Sequence, residues 1–550
     1  MSRPTDTTGL MAKPEKSDNP YLKFVPTISE EGYEYLSSIV TNPHDQVYSF
    51  TGKLPTAIIG AAMARLSRRA GDLRMTLIEE FAHTGEEGAE ALFDRVITAY
   101  GDDSVQQLAG IHFVVEGASN VLTKILEWGR FTSPLEQSTR YIFFDQRDTN
   151  GRYLYYTPTN LPPALKATYN DTMDEIFSHY SLMVRGLAAH LRTKNPEPAD
   201  RKERTAWLNS TRATACDAIR SVLPAATKST VGVFASAQAV EYLVMRLLSD
   251  ELEESRTVGQ KLLNEARKVI YPFLKRADVP DRGGAITAFL ANTRANVRDF
   301  ANKNLVPLKN GSTEEVTLVE HWPKDETELL AEMLFSSTNL PIKEIRKQVA
   351  KWPQKKVDQL FATYLGERLN RRHKPGRALE KAHFEWEIVG DYGTFRDLQR
   401  HRVVDALEWQ KLSTDYGFDI PPLVKEADYI TEFERCFALS NELYELLIKN
   451  GFFHEAQYAT LLGHKMRYRY IFNARALFHL LELRTGPDGH PGYRRICKTM
   501  YEQFAKAYPR IAKAMKFIST REDPELTRLA AERAAQYKLE KLGAQSLDSE

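Results

Sequence analysis

The sequence is poor in cysteine, contains no long apolar run and has no excess of charge of either sign. Its three cysteines, Cys216, Cys436 and Cys497, lie far apart, which excludes a disulfide framework and a zinc site of the CxxC type. No segment approaches the roughly 18 apolar residues that a membrane helix needs. The N-terminal segment is polar and rich in Pro, so we predict no signal peptide and expect a cytoplasmic protein without a membrane partner.

The charges are almost balanced, with 74 basic and 73 acidic side chains. A nonspecific nucleic-acid binder carries a basic excess, so we expect a small-molecule ligand and no nucleic acid. Several enzyme motifs are missing as well: GxGxxG after a strand, the P-loop, GxSxG, HExxH and the EF-hand loop. Because these motifs and a metal-binding pattern are lacking, an enzyme with this sequence would take its reactive group from a cofactor.

Two long stretches of the chain share one pattern. The runs GIHFVVEG (residues 110–117) and HFEWEIVG (residues 383–390) both read as strands, and each lies between a polar turn and a helix. Further on, residues 219–247 match residues 456–484 without a gap through their central part. We interpret the chain as a tandem duplication.

The predicted fold is α+β, with helices packed on a small sheet in each of two copies. The predicted boundaries are an N-terminal extension, partly disordered, at 1–44, a first copy at 45–275, a linker with a short helix at 276–314, a second copy at 315–520 and a charged helix at 521–550. This last helix lacks a strong apolar face and is expected to be a solvated arm.

The first copy contains the polar run EQSTRY, which follows a predicted helix ending at Arg130. Its candidate ligand-binding residues are Glu136, Gln137, Ser138 and Arg140, next to Tyr141. An Arg with a neighbouring hydroxyl suits a phosphate, because the guanidinium can bind two oxygens while the hydroxyl donates to a third. Arg220 is a further candidate for the same anion. The alternatives are an ordinary surface loop, and an Arg whose stem lies on apolar surface.

The second copy contains the triplet Arg400, His401 and Arg402 in a stretch that resembles a half-buried helix. Two cations around an imidazole are costly there unless an anion lies against them. A later helix carries four further polar candidates, which are Asn473, Arg475, His479 and Arg484. Together these residues predict an anionic, planar ligand. The alternative is a set of ion pairs with Glu482 or Glu408.

These residues resemble the flavin-dependent thymidylate synthase family. Its hallmark is Arg-His-Arg, then seven residues, then Ser-x-Arg-Tyr, with a later Asn-x-Arg helix that ends in another Arg. The first copy keeps Arg130, Ser138, Arg140, Tyr141 and Arg220 but has Trp128, Gly129, Ser236 and Gln238 in other places of the pattern. The second copy keeps Arg400, His401, Arg402, Asn473, Arg475 and Arg484 but has Gln410, Asp415 and Gln457 elsewhere. The losses are therefore complementary.

The resemblance implies methylation of dUMP to dTMP at a composite site, with FAD as cofactor and with methylenetetrahydrofolate and NADPH as cosubstrates. It implies that Glu136, Gln137, Ser138, Arg140 and Arg220 bind the nucleotide. It assigns FAD to Arg400, His401, Arg402, Asn473, Arg475 and His479. Arg484 would contact the uracil ring as the catalytic residue and stabilise negative charge that develops there. The family is tetrameric, so a homodimer that imitates the tetramer is expected.

The chain also departs from the family pattern. Asp397 replaces a Gln, His479 replaces an Asn, and the usual Glu-His pair before the first strand reads Gln107–Leu108 in one copy and Glu380–Lys381 in the other. A negative Asp397 beside a phosphate would be unfavourable. Two alternatives remain open, which are methylation of another pyrimidine nucleotide and a noncatalytic remnant that binds flavin or nucleotide.

Overall fold

The computed structural model describes residues 9–12, 27–66, 72–82, 103–129, 131–306, 314–526 and 528–547. Arg130, which the sequence places in the hallmark, lies outside them. The described residues combine helices with small sheets, which confirms the predicted α+β class. None of the helices among these residues combines the length and the apolar character that a membrane span requires.

Nine strands are described. They are β1 (Met11–Ala12), β2 (Thr27–Ile28), β3 (Gly110–Ser119), β4 (Thr132–Glu136), β5 (Lys228–Ser236), β6 (Val316–Trp322), β7 (His383–Asp391), β8 (Ala406–Trp409) and β9 (Lys465–Asn473). The α-helices are Glu30–Ile39, Thr56–Arg65, Leu73–Thr76, Asn120–Leu126, Pro163–Lys194, Arg201–Ile219, Ala237–Leu248, Glu253–Leu274, Gly283–Asn304, Leu330–Phe335, Ile342–Val349, Gln354–Leu365, Tyr392–Gln399, Pro422–Glu426, Ile430–Lys449, Ala474–Arg484, Pro491–Ala507, Pro509–Lys513 and Leu529–Leu547.

The sheets repeat one strand order. One sheet has the order β3-β5-β4, and another has the order β6-β7-β9-β8. Thus β3, β4 and β5 correspond to β7, β8 and β9, both along the chain and across the sheet. In each set the first and last strands run directly into a helix. The duplication inferred from the sequence is therefore present in the fold.

Strand β9 shows why this sequence forms a sheet. Tyr468 and Tyr470 are buried on one face, while Arg467 and Arg469, which alternate with them, lie on the other. Arg469 forms an ion pair with Glu385 of the antiparallel neighbour β7, and Arg467 pairs with Glu387 of the same strand. Alternation with a period of two thus buries one face and leaves cross-strand charge pairs on the other.

The chain divides into two compact units. The first comprises the described residues of Met1–Glu116, Ile125–Leu135 and Val231–Pro307. In it the helices Ala237–Leu248 and Glu253–Leu274 pack together, and the buried Glu241 accepts a hydrogen bond from Gln106 at 3.2 Å.

The second unit comprises the described residues of Gly117–Lys124, Glu136–Thr230 and Leu308–Glu550. Its core includes Trp386 and Phe384 of β7, with Phe504 packed edge-on against Phe384 at a centroid distance of 4.7 Å. All candidate residues described below belong to this unit, apart from two in the final comparison between the copies.

Two peripheral segments differ from what the sequence predicts, one in the length of its helix and the other in packing against the rest of the chain. The segment predicted as a linker with a short helix contains the 22-residue helix Gly283–Asn304. The helix Leu529–Leu547 was expected to be a solvated arm, but it packs on the helix Arg201–Ile219, where Arg533 lies 3.3 Å from Glu203. The predicted repeat and linker boundaries stay a prediction.

Candidate functional site

Asp397 lies at the centre of a buried cluster of charges. Strand β7 ends at Asp391, whose carboxylate accepts a hydrogen bond from the Thr394 backbone N–H at 2.8 Å and so caps the helix Tyr392–Gln399. This helix is buried along its length and presents Asp397 in its last turn. Arg220 Nη1 donates to Asp397 Oδ2 at 2.8 Å, and Arg400 Nη2 donates to Oδ1.

Arg140 is held by a second buried carboxylate. Its Nε and Nη2 donate to the two oxygens of Asp217, both at 2.7 Å, which is the bidentate geometry that suits guanidinium. Arg140 Nη1 donates to the Tyr493 hydroxyl at 3.0 Å. Burial alone would lower the pKa of Arg140, but Asp217 raises it, so Arg140 stays charged.

Arg484 ends its helix against the same group of residues. Its Nη2 donates to the Asp397 backbone oxygen at 2.6 Å, and its Nε donates to His401 Nε2 at 2.8 Å. Since an arginine can only donate, His401 Nε2 must be the unprotonated nitrogen of a neutral ring. Burial and the charge of Arg484 hold the pKa of His401 well below its usual value.

Tyr493 connects the two halves of this cluster. Its ring centroid is 5.7 Å from the guanidinium carbon of Arg140 and 5.0 Å from that of Arg484. We call the connected set the arginine network. Its members are Arg140, Asp217, Arg220, Asp397, Arg400, His401, Arg484 and Tyr493.

The arginine network has an excess of positive charge. Burial would raise the pKa of Asp397, but Arg220, Arg400, Arg140 and Arg484 hold it far below its usual value, so the carboxylate is ionised. With His401 neutral, the four guanidinium groups face only two carboxylates among the network's members. In addition, the buried Nη2 of Arg220 has no hydrogen-bond partner among the described residues. Both features favour an anionic ligand oxygen at this position.

A cavity of about 490 Å³ adjoins the arginine network, within the size range of small-molecule sites. Asp217, Arg220 and His490 line the side nearest the network, and the apolar loop Ile420–Leu423 lines another wall. His490 Nδ1 accepts from the Gly492 N–H, and its Nε2 lies 3.1 Å from the Asp217 backbone oxygen. Burial and Arg220 lower the pKa of His490 to about 4, so this ring is neutral too.

The predicted nucleotide-binding residues are only partly brought together. Arg140 and Arg220 belong to the arginine network, and Ser138 Oγ accepts from the Arg140 backbone N–H at 3.2 Å. Glu136 instead forms a buried ion pair with Arg396. Gln137 donates from its backbone N–H to Thr230 at 2.9 Å. Since Glu136, Arg140 and Arg220 are all buried, the surface-loop and surface-stem alternatives are wrong for them.

Of the six predicted flavin-binding residues, Arg400 and His401 belong to the arginine network, and the other four divide into two groups. Asn473 and Arg475 have structural partners: Asn473 caps its helix and donates to Asp405 at 3.2 Å, and Arg475 donates to Glu380 at 3.0 Å. Arg402 and His479 are exposed. Across the described part of the chain, Arg402 has neither a hydrogen bond nor an ion pair. Both side chains are accessible to an external ligand.

The ion-pair alternative is wrong in its partners. Glu482 pairs with Arg368 at 2.6 Å, and Glu408 lies 3.4 Å from Arg469. Neither acid contacts the triplet or Arg484. The acid that does pair with the triplet is Asp397, which the sequence indicated as an unfavourable neighbour for a phosphate.

Three further residues of the site were not predicted from the sequence, namely Asp217, His490 and Tyr493. His490 has a local signal, because it precedes the Pro that begins the helix Pro491–Ala507 and caps that helix. Asp217, in the last turn of the helix Arg201–Ile219, and Tyr493 have no such signal, because their contacts with Arg140 join distant segments of the chain.

Equivalent positions of the two copies make equivalent contacts with different chemistry. In the second copy Glu380 pairs with Arg475. In the first copy Gln107 and Gln238 hold the same two positions, and Gln107 Nε2 donates to Gln238 Oε1 at 2.7 Å. Gln457, the counterpart of Arg220, accepts from a backbone N–H. At these three positions a neutral amide of one copy replaces a charged residue of the other.

Comparison with known proteins agrees with the duplication. The family described as thymidylate synthase complementing protein matches residues 54–272 and again residues 317–510. A UPF0159 protein of Chlamydia pneumoniae is 32% identical over 515 residues, which are 90% of this chain and 96% of that protein. A UPF0159 protein of Chlamydia muridarum is 31% identical over 522 residues, or 92% of this chain and 98% of that protein.

A more distant relative and one solved structure extend the comparison. A UPF0159 protein of Thermoplasma acidophilum is 26% identical over 86% of this chain and 97% of its own length. The crystal structure of a UMP/dUMP methylase from Streptomyces cacaoi, bound with 5-Br dUMP, covers 38% of this chain and 96% of its own at 19% identity. Its TM-score is 0.30, which is too low to support a shared arrangement.

Proposed function

The chain belongs to the thymidylate synthase complementing protein family, and we propose that it methylates the uracil base of a pyrimidine nucleotide, with dUMP as substrate and dTMP as product. The observation that carries this proposal is the contact of Arg220 and Arg484 with the same residue, Asp397. Arg220 belongs to the first matched segment, while Arg484 and Asp397 belong to the second. These contacts within one chain support a site composed of residues that the two copies retain separately.

Arg140, Arg220 and Ser138 are proposed to bind the nucleotide phosphate. Among its own members the arginine network contains more guanidinium groups than carboxylates, which suits a phosphate dianion. The orphaned Nη2 of Arg220 supplies one donor, and the Ser138 hydroxyl supplies another. A buried guanidinium binds a phosphate oxygen more strongly than a surface lysine does, because its planar fork is already oriented.

Arg484 is proposed to contact the uracil ring and to stabilise negative charge on it as C5 becomes nucleophilic. Its orientation is fixed on two sides, by the Asp397 backbone oxygen and by His401. A neutral His401 holds the guanidinium without competing for the negative charge of the ring. Such fixed cations act strongly where water is excluded.

Arg402, His479 and Arg400 are proposed to hold FAD, and methylenetetrahydrofolate and NADPH are the proposed cosubstrates. Arg402 is unpaired among the described residues, His479 is exposed and Arg400 is partly exposed, so this set of donors fits a diphosphate. Asn473 and Arg475 would position the helix that carries His479. When bound, the flavin would supply the reducing equivalents that turn the transferred carbon into a methyl group. A homodimer and a cytoplasmic location stay predictions.

A noncatalytic nucleotide- or flavin-binding protein is the second candidate, and one observation favours it. Arg140 and Arg220 already have carboxylate partners, Asp217 and Asp397, in positions that a phosphate would otherwise take. A remnant that no longer binds substrate could keep its arginines buried in this way. The two candidates differ in what happens when dUMP is added.

The deciding experiment records the visible absorbance of the purified protein with FAD while dUMP is added, followed by tritium release from [5-³H]dUMP in the presence of NADPH and methylenetetrahydrofolate. A flavin spectrum that shifts with dUMP, together with tritium release, supports the enzyme. A spectral shift without tritium release supports the noncatalytic binder. A protein that neither takes up FAD nor responds to dUMP contradicts both.

A further inference from the structure

A loop of the second unit carries positive charges that no acid of the described chain neutralises. We call residues 371–374 the basic loop; it contains Arg371, Arg372 and Lys374, all exposed. None of these three side chains has an ion pair or hydrogen bond to another described residue. By contrast, the nearby Arg377 pairs with Glu380 at 3.0 Å. The loop therefore presents three free cations over four residues.

The basic loop has a fixed conformation. The buried Arg368 donates from Nη1 and Nη2 to the two oxygens of Glu482, both at 2.6 Å, and from Nε to the backbone oxygen of His373. Asn370 Oδ1 accepts from the Arg372 backbone N–H at 2.9 Å. Since a buried bidentate pair is lost only at a large cost in stability, the base of the loop is firmly held.

The anchor of the basic loop is the helix Ala474–Arg484 itself. Glu482, His479 and Arg484 all lie on this helix, and the His479 ring centroid is 5.8 Å from that of His401 in the arginine network. Burial lowers the pKa of His479, and the charges of Lys374, Arg371 and Arg484 lower it further. Positive potential thus runs from Arg484 past His479 to the basic loop.

We propose that the basic loop binds a chain of carboxylates, the oligo-γ-glutamate tail of the folate that donates the one-carbon unit. This inference rests on the proposed function, because that function supplies a folate cosubstrate. The loop contains no Ser or Thr and does not lead directly into an α-helix. It therefore lacks the hydroxyl groups and the helix N-terminal N–H groups that usually bind a phosphate. Three separate cations on an exposed loop match negative charges spaced along a flexible chain.

The test compares tetrahydrofolate carrying one glutamate with tetrahydrofolate carrying five, by the Kd of each for the FAD-loaded protein. The variant Arg371→Ala/Arg372→Ala/Lys374→Ala removes the basic loop's charges. The variant Lys343→Ala/Lys351→Ala/Lys355→Ala is a matched control, because it removes three exposed cations that likewise have no ion pair in the described chain. We expect the wild type and the control to bind the pentaglutamate form roughly tenfold more tightly, since each exposed charge contact contributes little. We expect the basic-loop variant to bind both forms alike.

Three results would overturn the proposal: no preference for the pentaglutamate form in the wild type, an unchanged preference in the basic-loop variant, or no folate binding at all. Binding of NADPH and of NADH to the same proteins tests whether the basic loop instead binds the additional phosphate of NADPH. If the basic-loop variant loses affinity for NADPH but keeps its folate preference, the loop binds a phosphate instead. The response of the flavin spectrum to dUMP, measured in each variant, shows separately whether the proposed function itself has failed.

Discussion

Arg220 and Asp397 form a buried ion pair in which Nη1 lies 2.8 Å from Oδ2, and the two residues belong to different copies of the duplicated pattern. Their side chains are 4% and 7% exposed, so both are removed from water. The sequence suggested that Asp397 would repel a phosphate. In the structure Asp397 instead holds Arg220 and Arg400 side by side, and the network still keeps a positive excess.

Removing one partner of this pair should destabilise the protein far more than removing both. Asp397→Ala leaves Arg220 buried without its acid, which costs about 3–5 kcal/mol in comparable pairs. The double variant Arg220→Met/Asp397→Leu replaces both charges with apolar side chains and should recover most of that loss. Urea unfolding followed by circular dichroism measures the free energy of unfolding of both variants. Equal losses of this free energy in the two variants would show that the charges are not coupled.

Asp397→Gln should increase the affinity for dUMP, by roughly tenfold or 1.4 kcal/mol. The change keeps a polar side chain in place but removes the negative charge that competes with a phosphate for Arg220 and Arg400. Titration of the flavin spectrum with dUMP gives the Kd. Glu326→Gln is the matched control, since Glu326 is also a buried acid that pairs with an arginine, Arg510. Weaker dUMP binding in Asp397→Gln would mean that the carboxylate is needed to orient the arginines.

Arg484→Gln should lower kcat for tritium release by about 10²–10³-fold while changing the KM for dUMP much less. Loss of a preorganised donor to developing negative charge typically costs this much. Arg469→Gln is a suitable control, because Arg469 is an exposed arginine that forms a cross-strand ion pair with Glu385 outside the site. If Arg484→Gln raised KM and left kcat unchanged, Arg484 would contribute to binding alone.

The stability of the second unit should fall as the pH is lowered from 6.5 towards 4. Burial lowers the pKa of His464 to about 4, and its neutral ring accepts from the Leu461 N–H at 2.9 Å. In the unfolded chain His464 binds a proton near pH 6.5, whereas in the folded chain it stays neutral down to about pH 4. The stabilising contribution of His464 is therefore complete above pH 6.5 and is lost progressively as the pH falls from 6.5 towards 4.

His464→Asn should make this pH dependence shallower by up to about 1.4 kcal/mol per pH unit, because Asn has no proton to gain while its oxygen can still accept from Leu461. Urea unfolding at a series of pH values measures the slope for both proteins. Parallel curves would assign the acid sensitivity to other groups, of which the buried His401 and His490 titrate in the same direction.

The repeat was predictable from the sequence because strand and helix patterns are local. The equivalent runs at residues 110–117 and 383–390 form the equivalent strands β3 and β7. The candidate residues Arg140, Arg220, Arg400 and Arg484 were also found from their positions within these runs. The residue types alone indicated an anion site.

The partners of these arginines were not predictable, because they depend on contacts between distant segments. Asp217 is 77 residues from Arg140, and Asp397 is 177 residues from Arg220. A pattern of residue types shows that a cation is buried but does not show which acid compensates it. For the same reason the sequence left Glu482 open as an alternative partner of the site residues, whereas it holds Arg368 and thereby the basic loop.

The separation of Arg220 from Asp397 along the chain also bears on synthesis by the ribosome. At roughly 5–20 residues per second, the 177 residues between them take on the order of ten seconds or more to emerge. During that interval the helix Arg201–Ile219 and the turn that follows carry a cation whose buried counterion has not yet been made. The nascent chain must therefore keep this segment hydrated or shielded by a chaperone until the helix Tyr392–Gln399 leaves the exit tunnel.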